Sequence, residues 1–433
     1  MKMMRIERLN IQTKKKFMAD LMQRSPAHYE SYEERVQEIL VAVKKDGEKA
    51  VFAYTRQFDN AEINEDNMQV TDDEVKAAYE QVDRALLESI RKSLKNITDF
   101  HDKQRQNSWF DYKEDGSILG QKVTPLKRVG VYVPGGKAVY PSSVLMNVVP
   151  AKVAGVEEVI MVTPPNQDGT IPPLTLVAAN ECGVHRIYKI GGAQAIGALA
   201  YGTAHIPQVD KIVGPGNIYV ALAKKAVYGY VNIDSIAGPS DILVLADETA
   251  NPRFIAADLL SQAEHDELAS AILVTTCESL AVAVAKEVEE FVRVLPRREI
   301  IQQSLDNYGY LIVAEDMESA IEVTNEIAPE HLEILTKEPF RVMTKIRNAG
   351  AIFLGEYSSE PLGDYYAGPN HVLPTNGTAR FFSPLSVDDF VKKSSIIAYS
   401  KEALSEAKDD IERFAEAEQF TAHANAIKVR FEP

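Results

Sequence analysis

The stretch RVGVYVPGG, residues 128–136, joins a β-branched apolar run to a turn of proline and glycine. The same pattern recurs at EEVIMVTPP (157–165), RIYKIGG (186–192) and KIVGPG (211–216), with helical segments such as AQAIGALAYGT between the runs. Short strands that alternate with helices predict a parallel, doubly wound sheet whose sites lie at the carboxyl ends of its strands.

A second series of strand-like runs follows, at DILVLAD (241–247), ASAILVTT (269–276), YGYLIVAED (308–316) and AGAIFLGE (349–356). Residues 30 to about 105 have apolar positions at helical spacing, and we expect them to complete this second unit. The predicted fold is α/β, with two doubly wound, Rossmann-like units and small helical appendages at both ends. The predicted domains are 1–25, 26–131 with 242–385, 132–241, and 386–433.

Composition limits the partners and the location of the protein. A formal net charge of −16 over 433 residues disfavours nucleic acid and anionic membrane as partners. Two cysteines, Cys182 and Cys277, exclude a disulfide framework and a thiolate zinc cluster. The N-terminus has no secretory signal pattern, and polar residues interrupt the most apolar region, 139–163. We therefore expect a cytoplasmic protein.

An apolar helical run in DLLSQAEHDE (258–267) ends with Gln262 and His265. A spacing of three places both side chains on one face of a helix, where they could hold a cation or a substrate. The solvated end of an ordinary helix explains such a pair equally well.

His331 lies in IAPEHLEIL (327–335). Pro329 suits the first position of a helix, which predicts Glu330 and His331 in the first turn. Glu330 could simply complement the helix dipole there. The positive helix end would also keep His331 neutral and able to accept a proton near pH 7, so that the pair supplies two potential bases.

A loop rich in glycine and proline, PLGDYYAGPNHVLPT (361–375), contains Asp364 and His371. Such a loop often carries function, although Asp364 alone could be a turn residue. His423 lies in TAHANA near the end of the sequence, where a lone histidine normally means little. Together with Gln262 and His265, Asp364 and His423 permit an open site for Zn²⁺ or a similar divalent metal, although no HExxH motif is present.

Three glycine-rich stretches, VPGG, IGGAQAIGALA and VGPGN, each follow a predicted strand, which fits a backbone that approaches a bound nucleotide. None is a full G-x-G-x-x-G followed by an acid about 20 residues later. Tight turns between strands and helices explain each stretch taken singly.

These motifs together make the chain resemble the histidinol dehydrogenase family. IDSIAGPSDILVLADETANPRFIAADLLSQAEH (233–265) closely resembles the family's signature region, and YVPGG, GGAQAI, GPGN, APEHLE, GDYYAGPNHVLPT and TAHANA occur in the family's order. The likeness extends from about residue 30 to the C-terminus. One departure is Asp241, where the family pattern has Glu after AGPS; the charge is kept.

The resemblance implies oxidation of L-histidinol through histidinal to L-histidine, the last steps of histidine biosynthesis, in two hydride transfers to NAD. It also implies an aldehyde-dehydrogenase-like architecture, one Zn²⁺ per subunit, and a homodimer in which the 386–433 tail completes the partner subunit's site. The 132–241 domain would contact NAD, and the discontinuous domain would carry the metal and catalytic site. The implied zinc ligands are Gln262, His265, Asp364 and His423, and the implied catalytic pair is Glu330 and His331. Besides the metal ligands, the implied substrate contacts are Ser240, His331, Asp364, His371 and Glu418. The implied NAD contacts are Tyr132, Gln194 and Asn217.

The implied mechanism uses His331 to accept the hydroxyl proton and Glu330 to activate the water that hydrates the aldehyde. Neither cysteine lies in a nucleophile-like motif, which disfavours a thiohemiacetal route. Three other functions stay open: a related zinc- and NAD-dependent dehydrogenase of another small polar alcohol, a zinc hydrolase that uses Glu330, and a non-catalytic metal or nucleotide binding protein. NADH formation separates the dehydrogenases from the other two.

Overall fold

The fold is described from a computed structural model that covers residues 4–22, 24, 30–135, 139–236 and 238–432. Parts of the predicted 1–25 segment and of the VPGG turn therefore lie outside the described residues. By contacts the chain forms two compact units, Met1–Gln104 with Leu126–Phe390, and Arg105–Pro125 with Val391–Pro433. The predicted boundaries at 25, 131, 241 and 385 stay a prediction.

The strands in chain order are β1 (Arg5–Arg8), β2 (Trp109–Tyr112), β3 (Ile118–Pro125), β4 (Arg128–Tyr132), β5 (Glu158–Val162), β6 (Arg186–Tyr188), β7 (Lys211–Val213), β8 (Asn232–Ile233), β9 (Asp241–Ala246), β10 (Ser270–Thr275), β11 (Gly309–Val313), β12 (His331–Leu335), β13 (Ala351–Leu354) and β14 (Val391–Ala398).

The α-helices in chain order are α1 (Ile11–Met22), α2 (Glu30–Asp46), α3 (Glu48–Asp59), α4 (Asp72–Gln81), α5 (Arg84–Asp102), α6 (Pro141–Ala154), α7 (Pro173–Glu181), α8 (Gly192–Tyr201), α9 (Ile218–Val227), α10 (Pro252–Ala263), α11 (Glu278–Val292), α12 (Arg298–Tyr308), α13 (Met317–Ile327), α14 (Pro339–Met343), α15 (Glu360–Leu362), α16 (Lys401–Ala417) and α17 (Thr421–Lys428). A π-helical turn, Gly363–Ala367, follows α15, and short 3₁₀ turns span Thr378–Arg380 and Val387–Phe390.

The first parallel sheet has the strand order β6-β5-β4-β7-β8. Successive strand residues point to opposite faces, so Ile160 and Ile212 pack with helices α2, α3, α8 and α9, whereas Val129 and Val131 pack with α5, α6 and α7. Both faces are therefore covered by helices, which confirms a doubly wound unit.

The second parallel sheet has the order β1-β11-β10-β9-β12-β13. Ile242 and Val244 of β9 pack against α10, α11 and α12, and Leu243 and Leu245 pack on the other face against α1 and α13. The α/β fold class with two doubly wound parallel sheets is thus confirmed. The helical region 30–105 packs mainly on the helices of the five-stranded sheet, α6 to α9, although we expected it to complete the second unit.

Three local predictions were wrong. Arg5–Arg8 forms an edge strand that pairs with β11, not the start of a helical segment. His331 opens strand β12 and does not lie in the first turn of a helix. The segment after residue 386 contains strand β14 before its helices begin. In each case pairing with a strand distant in sequence overrides the local pattern.

The second unit contains an antiparallel sheet of order β14-β3-β2, with Val391 opposite Pro125, together with the packed helices α16 and α17. Several large apolar side chains of this unit are exposed, among them Trp109, Tyr112 and Phe414. Among the described residues of the whole chain, no helix is both long and apolar enough to cross a bilayer.

Candidate active site

The predicted catalytic pair lies at the amino end of the six-stranded sheet. His331 is the first residue of β12 and stands between Ile242 of β9 and Ala351 of β13. Glu330 immediately precedes it, and only about 5% of either residue is exposed. We expected sites at the carboxyl ends of the strands, and for this pair the expectation was wrong.

Asp241, the first residue of β9, holds this pair through three groups. Its N–H donates to Glu330 Oε2 at 3.0 Å, and its Oδ1 accepts from the Glu330 N–H at 2.8 Å. Its carbonyl oxygen lies 3.2 Å from His331 Nδ1. Buried Arg24 pairs with the same carboxylate at 3.5 Å and also donates to the Ser240 carbonyl. The geometry of the pair is therefore fixed by the neighbouring strand.

The hydrogen bonds of His331 determine which ring nitrogen is free. Nδ1 donates to the Asp241 carbonyl, so the lone pair is on Nε2, which is buried, has no hydrogen-bond partner and lies 3.9 Å from Asp364 Oδ1. Burial lowers the pKa of His331 to about 3, so the imidazole is neutral at pH 7. The neutral state that we predicted from a helix dipole thus has a different cause.

The amide of Gln262 is oriented by Glu360, a residue to which the sequence analysis gave no role. Satisfying the hydrogen bonds requires Nε2 to face Glu360, to which it donates at 2.7 Å. The same nitrogen lies 3.3 Å from His331 Nδ1, but that ring nitrogen already donates to Asp241. Because Nε2 is used by Glu360, the amide oxygen of Gln262 is left for another partner.

Asp364 and His371 come together in the loop after β13, where Asp364 Oδ1 lies 3.8 Å from His371 Nδ1. Asp364 belongs to the π-helical turn. Burial raises the pKa of Asp364 to about 7 and lowers the pKa of His371 to about 4. The loop therefore places a carboxylate between two neutral imidazoles.

Further buried acids surround this group. Burial raises the pKa of Glu360 to about 8, with Asp364 adding to the effect, and raises the pKa of Asp258 to about 6. Burial also raises the pKa values of Glu330 and Glu333, helped by Asp241 and Asp258 respectively. Carboxyl groups this close would favour a bound cation, which stabilises their ionised forms.

The described residues contain no group of three or more His, Cys, Asp or Glu side chains arranged to hold a metal ion. Of the predicted ligands, Gln262 is the last residue but one of α10, and His265 follows that helix by two residues and is exposed. Both belong to the first unit, as does Asp364. His423 and Glu418 lie in the second unit, where they line a small cavity with Phe414.

The three predicted NAD contacts line one cavity of about 560 Å³ in the first unit. Tyr132 ends β4, and its hydroxyl accepts from the Gly192 N–H at 3.1 Å. Gln194 is fully buried, and neither atom of its amide has a partner. Asn217 caps α9 by accepting from two backbone N–H groups. These loops follow strand ends, as predicted for the first sheet.

A buried ion pair supports the GPGN loop of this cavity. Gly214 N–H donates to Asp234 at 2.8 Å and its carbonyl accepts from Lys224 at 3.0 Å, while Lys224 and Asp234 pair directly. Gly214 has φ +111°, and a Cβ there would lie 2.1 Å from the Tyr132 carbonyl oxygen. Only glycine fits this close approach of two loops.

Sequence reasoning missed the acids Glu360 and Glu333 and the cation Arg24. Glu360 stands four residues before Asp364, in the same loop, and this proximity was a usable signal. Glu333 follows His331 by two and lies buried on the same strand. Arg24 has no local signal, because its partner Asp241 is far away in the sequence.

A buried carboxylate–imidazole pair at the amino end of one doubly wound sheet, and a glycine-lined cavity at the carboxyl ends of the strands of the other, are together typical of a dinucleotide-dependent oxidoreductase. The family model for histidinol dehydrogenase matches residues 22–431. The chain belongs to the histidinol dehydrogenase family, whose members are NAD-dependent oxidoreductases that catalyse the last steps of histidine biosynthesis.

Individual relatives agree over nearly the whole chain. The chain is 60% identical to a histidinol dehydrogenase of Halalkalibacterium halodurans over 397 residues, 92% of this chain and 93% of the relative. It is 57% identical to that of Caldanaerobacter subterraneus subsp. tengcongensis, with 95% of each chain covered. A crystal structure of histidinol dehydrogenase from Elizabethkingia anophelis has a TM-score of 0.93 at 39% identity, covering 99% of this chain and 98% of that one.

Proposed function

We propose that this chain oxidises L-histidinol through histidinal to L-histidine at the site of Glu330 and His331. The observation that carries the proposal is the neutral, buried imidazole of His331, whose unpartnered Nε2 lies 3.9 Å from Asp364 Oδ1. The family to which the chain belongs supports the substrate. Ser240, His371 and Glu418 are the further substrate contacts in this proposal.

Zinc is the metal that we propose, one ion per subunit, with Gln262, His265, Asp364 and His423 as ligands. The donor chemistry fits, since one amide oxygen, one carboxylate and two imidazoles form a borderline set. The freed amide oxygen of Gln262 and the surplus of buried acids support the assignment. Bound zinc would anchor the imidazole and amine of the substrate and favour the ionised form of Glu330.

Proton transfers fall to the catalytic pair in this proposal. His331 Nε2 accepts the hydroxyl proton of histidinol as hydride leaves the carbon that bears this hydroxyl group. Glu330 then accepts a proton from the water that hydrates histidinal, while protonated His331 gives its proton to the aldehyde oxygen. Neutral again, His331 accepts the hydroxyl proton of the hydrate in the second oxidation. Asp241 fixes the positions of both residues, so less conformational entropy is lost when they reach the reactive arrangement.

NAD supplies the hydride acceptor when bound, and we propose Tyr132, Gln194 and Asn217 as its contacts. The unpartnered amide of Gln194 supports this, because a buried amide without hydrogen bonds is costly unless a ligand completes it. The proposed mechanism uses no cysteine, because neither Cys182 nor Cys277 lies in a nucleophile-like motif.

We also propose a homodimer in which His423 of the partner subunit completes each metal site. The exposed apolar side chains of the second unit support an interface there, since such patches mark contacts with other chains. The predicted domain roles, with 132–241 contacting NAD and the 386–433 tail serving the partner, belong to the same proposal. The cytoplasmic location is proposed from the acidic charge and the two free cysteines.

The test is NADH formation with L-histidinol before and after removal of metal by a strong chelator. Chelation should abolish turnover and Zn²⁺ should restore it. Full activity in a sample shown by elemental analysis to be metal-free would rule out the zinc assignment. NADH formation with another amino alcohol but not with L-histidinol would show that the chain is a related dehydrogenase with a different substrate.

A further inference from the structure

The cavity lined by Tyr132, Gln194 and Asn217 is formed by two parts of the first unit. The predicted NAD contacts lie on the loops of the five-stranded sheet, and the opposite wall consists of helices α2 and α3. These helices contribute Arg35, Phe58 and Asp59 to the lining. The sequence analysis gave none of them a role.

Asp59 is the last residue of α3, and its Oδ2 is buried without a hydrogen-bond partner. Burial raises the pKa of Asp59 to about 6, so the carboxylate is ionised at pH 7. An ionised carboxylate that has a buried oxygen and no hydrogen-bond donor loses free energy relative to water. Because Asp59 lines the cavity, a ligand bound there can bring a hydrogen-bond donor to this carboxylate.

The position of Asp59 decides which part of a dinucleotide reaches it. Helices α2 and α3 share a core with α8 and α9 on one face of the five-stranded sheet. The loop that carries Asp364 is held on the other face, where Asn96 of α5 donates to the Tyr366 carbonyl and Asn370 donates to the Met146 carbonyl of α6. With the nicotinamide at the substrate, the adenosine half reaches the face of Asp59.

We propose that the Asp59 carboxylate accepts the hydroxyl groups of the adenosine ribose and thereby selects NAD over NADP. The inference rests on the NAD-dependent function proposed above. A ribose diol offers O–H donors, and an ionised carboxylate only accepts hydrogen bonds. NADP would replace one donor by a phosphate and place like charges together. The acidic residue that follows a standard G-x-G-x-x-G motif is absent from this chain, and in this proposal Asp59 of α3 takes its place.

Calorimetry on the wild-type protein tests the selectivity without turnover. ADP-ribose should bind at least about tenfold more tightly than its 2′-phosphate, because a charge-assisted hydrogen bond is lost and a repulsion is added. Equal affinities would overturn the inference. NADH formation with histidinol in the same preparation would show that the proposed function stands even so, and its absence would count against both.

The variant Asp59→Asn should bind ADP-ribose about 10- to 100-fold more weakly and should lose most of its discrimination against the 2′-phosphate. The KM for NAD should rise more than kcat falls. Asp46→Asn is the matched control, since Asp46 is an exposed acid at the end of α2. Unchanged affinity and discrimination in Asp59→Asn, with a wild-type melting curve, would overturn the inference.

Wild-type affinity for ADP-ribose should also fall as the pH drops below about 6, because protonation removes the acceptor. The other titratable side chains that line the cavity are Arg35, Tyr132 and Tyr219, none of which is a carboxyl group or an imidazole. The pH dependence should be absent in Asp59→Asn. A wild-type affinity that is constant from pH 5 to 8 would contradict an ionised Asp59 acceptor.

Discussion

The residue at position 241 orients Glu330 and His331 through both its backbone and its carboxylate. Its backbone and carboxylate contact Glu330 from both sides, and its carbonyl sets the tautomer of His331. Buried Arg24 offsets its charge. The sequence comparison treated Asp241 only as a conservative departure from Glu, because nothing local links it to a residue 89 positions later.

Substitutions of the catalytic pair should separate the two oxidations. Glu330→Gln should mainly slow histidinal oxidation, since it removes the base for aldehyde hydration. His331→Asn should slow both oxidations by on the order of 10²–10⁴-fold, the usual contribution of a general base. Each variant is to be assayed with histidinol and histidinal separately. A Glu330→Gln enzyme that oxidises histidinal at the wild-type rate would remove Glu330 from the proposed role.

Among the elements, most of the parallel strands were predictable from local sequence. β4, β5 and β7 are followed within two residues by proline or glycine, and β9, β10 and β11 are apolar runs that polar residues follow. β12 was not predictable in this way, because HLEIL carries two charged or polar residues that the structure buries, His331 and Glu333. They are buried because β12 lies between β9 and β13, which local propensity does not indicate. For this reason a helix start at Pro329 was predicted instead of a strand.

The GPGN loop gives a prediction with an internal control. Gly214→Ala places a Cβ 2.1 Å from the Tyr132 carbonyl oxygen, so the loop must move. We expect about 2–5 kcal/mol of lost stability and a marked loss of NAD affinity. Gly229 has a similar φ, +104°, but open space around it. Gly229→Ala should lose only about 1–2 kcal/mol from backbone strain and keep its NAD affinity.

Urea unfolding measures the stability of both variants, and calorimetry measures their affinity for NAD. Equal effects of the two substitutions on NAD affinity would mean that the close approach of Gly214 to Tyr132 does not shape the cavity.

At the level of the whole molecule, the assembly of the site is the least predictable part. The sequence alone placed Gln262, His265 and Asp364 near one another only through the family resemblance, and the buried acids around them became visible only in three dimensions. Glu418 and His423 lie in the second unit, and their link to the site rests on the proposed dimer.

Mixing two inactive variants tests that link. His265→Ala and His423→Ala chains, unfolded and refolded together in equal amounts, should recover about a quarter of wild-type activity, because half the dimers are mixed and each mixed dimer has one intact site. Each variant refolded alone is the control. No recovery despite verified subunit exchange would show that His423 serves its own chain, and it would leave the zinc assignment standing.

The pairing of β14 with β3 also has a consequence for how the protein is made. The five-stranded sheet uses a continuous stretch of chain from β4 to β8, so a ribosome completes it before half of the six-stranded sheet has been translated. The β2–β3 hairpin emerges still earlier, yet the strand that covers its open edge, β14, is translated only after every strand of the six-stranded sheet. An uncovered edge strand beside exposed aromatic residues is prone to pair with other chains. Until β14 emerges, the nascent polypeptide therefore carries an unpaired strand edge that can associate with other chains.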